Sequence, residues 1–221
     1  MKKYIVLGVL FILPIVVYLF FASGVNNFGK LPVLTENVDA GSSLGTSLDD
    51  KITVLGFLGG DIDARKLNAF NLNQKIYKRF NGFEDFQFVM VVPRGTETAV
   101  EELKKELSKL ADVSNWKFVF APENDIITLF TNLNTPFSLD EKLYSPYVFI
   151  VDKKGDLRGR LKDDDTKREL FGYDATSVAV LNNKMIDDMK VLLAEYRLAV
   201  KDNGVTRRDS YLKYNTEKDE E

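Results

Sequence analysis

Ile52–Asp63 reads ITVLGFLGGDID, and its first seven residues decide the fold. Ile52 to Leu58 is a nearly unbroken apolar run, rich in β-branched and aromatic residues. A strand buried on both faces of a sheet reads this way. The run breaks at Gly59-Gly60, and Asp61 or Asp63 is then placed to cap a following helix. A strand, a tight loop and a helix start form a frequent seat of chemistry, because helix-end N–H groups favour anions. This loop holds no Cys, His, Ser, Thr or Lys, so it fixes a location better than a reaction.

Outward from this stretch, strand and helix patterns alternate. Ala64–Phe80 carries apolar residues at Leu67, Ala69, Phe70, Leu72, Ile76, Tyr77 and Phe80, which predicts a helix stopped by Asn81-Gly82. Phe86–Val92 is a second buried strand. Thr98 to Glu101 has capping-box spacing, followed by a stripe of Val100, Leu103, Leu107 and Leu110. Trp116–Ala121 is a third strand and Asp125–Asn132 a short helix. Tyr147–Val151 is a fourth strand, turned at Asp152–Asp156 into Leu157–Leu161. Asp163–Glu169 reads as charged and solvated. Asp174 or Thr176 opens a last helix with a stripe of Val178, Leu181, Met185, Met189, Leu192 and Tyr196. The order βαβαβα, hairpin, α implies an α/β fold whose parallel sheet gains antiparallel strands at its end.

Met1-Lys2-Lys3 precedes Tyr4–Ala22, which carries no charge. As a helix this stretch spans about 28 Å, close to the bilayer's hydrocarbon thickness. The lysines predict a cytoplasmic N-terminus and an extracytoplasmic domain, periplasmic in a Gram-negative cell. A cleavable signal peptide ending near Ala22-Ser23-Gly24 is the alternative. The expected organisation is an anchor over 1–23, a tether and lead-in over 24–50, a domain over 51–201 and a polar tail over 202–221.

Composition excludes whole classes of chemistry. There is no Cys and no His among 221 residues, so thiol redox, Zn–Cys sites, His triads and His-ligated metals are absent. A net charge of −3 gives no basic footprint for nucleic acid. No cofactor and no catalytic constellation is expected. Asp61 and Asp63 are the candidates for a hard cation or an acid/base pair, against a plain capping role. Asp163-Asp164-Asp165 with Glu169 lacks the spacing of a Ca²⁺ loop, and Gly59-Gly60 lacks the Lys and further glycines of a phosphate loop. Arg94, Arg158 and Arg160 read as exposed solubilising charges. Met90, Met185 and Met189 fall on core stripes rather than ligand positions. Tyr144, Tyr147 and Tyr173 read first as core packing; the alternative is a cluster beside the 59–63 loop, where an aromatic groove would suit an extended partner segment.

Four features together resemble the Sco/SenC branch of the thioredoxin-like fold. They are the lysine-led anchor, Gly56-Phe57, the Val91-Val92-Pro93 strand end, and YSPYVFIVDKKG over Tyr144–Gly155. That resemblance implies a membrane-anchored, thioredoxin-like mixed sheet flanked by helices, and a place in cytochrome oxidase assembly. It sets Pro146 at the proline that faces the active site. It sets Gly60 and Ala64 at the two cysteines of the family's Cys-x-x-x-Cys copper loop, and Tyr144 near its copper-binding histidine. All three ligands are missing, and soft Cu(I) wants thiolate, thioether or imidazole. The expected function is a non-catalytic binding or assembly module. Its candidate face comprises Gly59, Gly60, Asp61, Asp63, Tyr144, Pro146 and Tyr147, and it would meet a membrane or extracytoplasmic protein. The alternatives are a carboxylate-based metal protein or enzyme at Asp61 and Asp63, and a purely structural membrane protein.

Overall fold

The computed structural model describes Lys3 and residues 10–18, 29–38 and 48–202. Seven strands form one mixed sheet: β1 (Val33–Thr35), β2 (Ile52–Leu58), β3 (Phe86–Pro93), β4 (Trp116–Ala121), β5 (Tyr144–Val151), β6 (Leu157–Arg158) and β7 (Tyr173–Asp174). Their order is β1-β6-β5-β2-β3-β4, with β7 paired to β5. β2 runs parallel to β3, and β3 to β4; β5 is antiparallel to β2. Helix α1 covers residues 62–80, α2 is Glu97–Ser108, α3 is Glu123–Asn132, and α4 covers residues 178–202. Parallel β2 and β3 joined by α1, then an antiparallel hairpin on the other side of β2, is the thioredoxin-like arrangement.

β2 is buried along its whole length because both faces are covered. Side chains alternate across a strand, so Ile52, Val54 and Leu58 enter one core while Leu55 and Phe57 enter the other. The first core lies under α1, α2 and α4, with Leu72, Ile76, Leu103, Leu107, Leu181 and Leu192 facing Phe86, Phe88 and Met90. The second lies under α3 and the lead-in, around Phe130, Leu133 and Phe149. Each fully buried aliphatic or aromatic side chain contributes about 1.5–3 kcal/mol. Gly56 stands where three strands meet: a Cβ there would lie 2.7 Å from Met90 Sδ. Met90, Met185 and Met189 are all fully buried, as their stripes predict.

Several local expectations change. Leu67 is 69% exposed, because five helical residues separate it from Leu72 by about 140°. α1 widens to π-turns over Asn73–Tyr77, as α4 does over Leu181–Met185. Thr98 forms no capping box: α2 begins at Glu97, and the preceding Thr96 hydroxyl donates to the Pro93 carbonyl at 2.8 Å. Leu110 lies beyond that helix and is exposed. Neither Asp174 nor Thr176 caps α4. Asp174 ends β7, and Ser177 accepts from Val180 N at 3.3 Å. Among the described residues, no helix is long and apolar enough to cross a membrane. Residues 10–18 are helical and exposed. The rest of the expected anchor, most of the tether and the tail after 202 lie outside the described residues.

The largest correction concerns charge. Arg158 is buried, donating to Asp152 Oδ2 at 3.0 Å and to Glu195 of α4. Arg160 donates through Nε to both oxygens of Asp188, which also accepts from the buried Tyr173 hydroxyl at 2.6 Å. Asp163 is not solvated: its side chain is 0% exposed and takes Lys184 Nζ at 2.8 Å. These pairs fasten the chain after β5 to α4, and the apolar pattern that guides sequence reading carries no sign of them.

Two outcomes follow from this strap of ions. Arg158→Met leaves the Asp152 carboxylate buried without its cation, at a cost of about 3–5 kcal/mol; Lys190→Met, at an exposed pair with Asp187, costs less than about 1 kcal/mol. Urea denaturation of both variants measures the contrast. For Asp163, burial alone would raise the pKa, but Lys184 and the Thr166 N–H and hydroxyl outweigh it and lower it from 3.8 to about 2. A depressed folded value means stability that is complete above the unfolded value and lost as pH falls toward 2. Unfolding followed between those two values should show this loss, and Asp163→Asn should flatten it.

Candidate functional site

The carboxyl ends of β2 and β3 and the start of α1 enclose a cleft of about 440 Å³, with Gly60, Asp61, Asp63, Pro93, Glu123 and Lys142 on its walls. Gly59 turns the chain out of β2 at φ +68°, and a Cβ there would lie 2.5 Å from the Lys142 carbonyl. Gly60 N donates to that same carbonyl at 2.8 Å. The Gly-Gly loop therefore spends an N–H on the chain itself, and it is no open cradle for phosphate.

Asp61 is the cap. Its Oδ1 accepts from Ala64 N at 3.3 Å, and its Oδ2 takes Lys142 Nζ at 2.7 Å. The Lys142 hydrogen bond, with the Ala64 N–H, holds the Asp61 carboxyl below its usual pKa. Asp63 pairs instead with Lys66 Nζ at 2.9 Å, and Lys66 also reaches Glu106 at 3.0 Å. Those two carboxylates raise the Lys66 pKa. The two aspartates thus face different lysines and form no shared-proton pair. Among the described residues, no three His, Cys, Asp or Glu side chains stand together as a metal site.

Tyr144, near which the resemblance sets a histidine, is packed shut. Its hydroxyl accepts from Asn68 Nδ2, and the Arg65 guanidinium lies 3.9 Å from its ring centroid. Arg65 continues to Asp140 Oδ2 at 3.4 Å. Burial pushes the Tyr144 hydroxyl above its usual pKa, so at neutral pH it is a phenol rather than an anionic base or ligand. Ala64 is exposed on the outer side of α1, and Gly60 keeps open space beside it.

The three tyrosines do not gather here. Tyr147 stacks on Phe137, ring centroids 3.7 Å apart, against the second core. Tyr173 is buried in the first core, where burial and Asp188 push its pKa up. Tyr144 and Tyr147 stand three residues apart on β5 and so point to opposite faces of the sheet, while Tyr173 lies on β7. The β2–β5 register breaks between Gly56 and Leu58, opposite Ser145-Pro146-Tyr147. Pro146 has no N–H for a ladder and sits at this break. No described peptide bond is cis, so Pro146 follows a trans bond; its carbonyl accepts from Ala175 N at 2.8 Å.

Sequence reading missed Arg65, Asn68, Asp140 and Lys142. Asp140 Oδ1 accepts from the N–H groups of both Lys142 and Tyr144, at 2.9 Å each. An Asp two residues before a turn residue is the signal for such a local bond. The other three are long polar side chains whose partners lie 75 or more positions away.

No protein-family model matches the chain, and no curated protein matches it significantly. Among solved structures, a candidate electron transfer protein of Aquifex aeolicus is similar at 18% identity and TM-score 0.45, covering 66% of this chain and 83% of that one. Copper-bound ScoI of Arabidopsis thaliana is similar at 16% identity and TM-score 0.40, covering 65% and 86%. A thiol:disulfide interchange protein from Bacteroides is similar at 19% identity and TM-score 0.37, covering 58% and 77%. With every one of these scores below 0.5, the thioredoxin-like assignment stands on strand order and direction.

The two glycines of the loop should respond differently to a methyl group. Gly59→Ala meets backbone at 2.5 Å and keeps a positive φ, and should cost about 1–3 kcal/mol. Gly60→Ala has its nearest contact at 3.9 Å and should stay within about 0.5 kcal/mol of the parent. Thermal melts of the two variants separate these outcomes.

Proposed function

We propose that the chain is a membrane-anchored, extracytoplasmic thioredoxin-like protein that acts as a non-catalytic binding or assembly module. Its site is neither a thiol centre nor a Cu(I) centre. The observation that carries this reading is the loop at the end of β2. The sheet around it is intact, and the Sco/SenC resemblance would put thiol and imidazole ligands near Gly60, Ala64 and the hydrogen-bonded Tyr144, none of which can supply them. A sheet kept intact around an internally paired loop suits recognition better than turnover. Carboxylate chemistry has less support, because Asp61 and Asp63 each hold a lysine. The uncharged Tyr4–Ala22 behind Lys2 and Lys3 supports anchoring with the domain outside. The partner would be another membrane or extracytoplasmic protein. A role in respiratory-complex biogenesis comes from the Sco/SenC resemblance alone.

The full chain, tagged in its own membrane, tests this. Retention through an alkaline carbonate wash, digestion by protease added only from outside, and crosslinking that enriches respiratory-complex proteins are the expected results. The control is the same residues 1–23 fused to an unrelated domain. Enrichment no greater than that control would sink the assembly role, and release by carbonate would sink the anchor.

A further inference from the structure

We propose that residues 140–143 are the saddle of a docking trough for an extended partner segment carrying a cation and, on the same side, an apolar side chain. This rests on the binding-module reading above and names the chemistry of the partner. The observation is a pair of cavities that share a wall. On one side of the saddle lies the cleft of about 440 Å³ already described. On the other lies a cavity of about 470 Å³ whose apolar wall is Ile127, Phe130, Phe137 and Leu139, with Thr131, Asn134, Thr135 and Ser138 also lining it. Leu143 lines both.

The two halves differ in chemistry, and that difference sets the occupant. The cleft is lined by Asp61, Asp63, Glu123 and Glu141 with Lys142, and Lys66 reaches Asp63 from outside the lining. Asp61 and Asp63 are held by lysines, whereas Glu123 and Glu141 are exposed and make no ion pair among the described residues. Two free carboxylates beside a net negative cleft suit an arginine or lysine. The second cavity is built from one helix face and an extended chain, and Ile127 remains 47% exposed at its rim. It suits one aromatic or aliphatic side chain. In such an arrangement the buried apolar anchor supplies most of the affinity, and the cation supplies direction and encounter rate.

The saddle is ready-made. Asp140 Oδ1 binds the N–H groups of Lys142 and Tyr144, and Leu143 N donates to Asp140 O at 3.0 Å. Gly60 N fastens the Lys142 carbonyl from below. Leu143 is held at φ +63°, a conformation rare for a branched side chain, and this turns the chain between the two cavities. A wall already fixed lowers the ordering cost of binding. Side chains on one side of an extended segment recur at every second residue, so the cation and the anchor stand two or four positions apart.

Fluorescein-labelled nonapeptides of Ser, Thr and Gly, bearing Lys-x-Phe, Glu-x-Phe or Lys-x-Ser (or the same pairs four positions apart), test the trough. They are titrated onto the full chain in nanodiscs, and anisotropy is read. The Lys/Phe peptide should bind at least about tenfold more tightly than either control, a difference of about 1.4 kcal/mol. Glu141→Lys should abolish the preference for Lys over Glu, and Ile127→Asp the preference for Phe over Ser. Both residues are on the surface, and circular dichroism melts confirm that each variant folds. Equal binding of the three peptides, or preferences that survive both substitutions, would overturn the trough. If membrane crosslinking to a partner persists in both variants, the trough falls while the binding-module reading stands. If crosslinking of the parent chain to respiratory-complex proteins is absent but the peptide preferences hold, the assembly role fails and the trough remains.

Discussion

β2 has water on neither face, and every other element answers to that constraint. A strand buried on both sides must feed two cores at once, so its odd and even positions are committed to different layers. Three helices cover one face and α3 with the lead-in covers the other. The strand's exit is committed as well. No side chain fits at Gly59, because the segment before β5 crosses directly over it. The loop that follows is thus shaped by the approach of a second piece of backbone rather than by any ligand.

Charge then does at the periphery what apolar contact does at the centre. The excursion between β6 and β7 is long, polar and poor in large apolar residues. It is held by ion pairs that reach α4: Arg158 with Glu195, Arg160 with Asp188, and Asp163 with Lys184. Such pairs add little net stability relative to well-packed hydrophobic contacts, but they are costly to break singly. They fix where α4 lies rather than how strongly it is held.

What the sequence makes legible follows from this division. β2, β3, β4 and the hairpin are visible because apolar periodicity is a local signal, and so are the stripes of α1, α2 and α4. The two-residue β7 is not, because it exists only through its pairing with β5. The Ser177 cap is local, but Asp174, Thr176 and Ser177 offer competing candidates within four residues, and apolar periodicity does not choose among them. At the loop, the break at Gly59-Gly60 and a capping aspartate are legible from residue type, and the fold selects Asp61 rather than Asp63 as the cap. The closure by Arg65, Asn68 and Lys142 was invisible, since a polar side chain does not announce a partner some 80 positions away. Asp163 is the sharpest case. In the sequence it is one acid in a run of three, and in the fold it is the one that is buried.

The difference between Gly60 and Tyr144 decides how readily each position accepts a new side chain. At position 60 the backbone leaves room, so a nucleophilic side chain could be installed by one change that disturbs nothing around it. At position 144 the phenol is entangled with Asn68 through its hydroxyl and with Arg65 through its ring, and Arg65 is tied to Asp140. Removing the ring leaves the Asn68 amide without its acceptor and takes away the face on which Arg65 rests. New chemistry introduced at this loop would thus meet open space at one position and an interlocked set of contacts at the other. The two positions differ in how many neighbours a substitution there must carry with it.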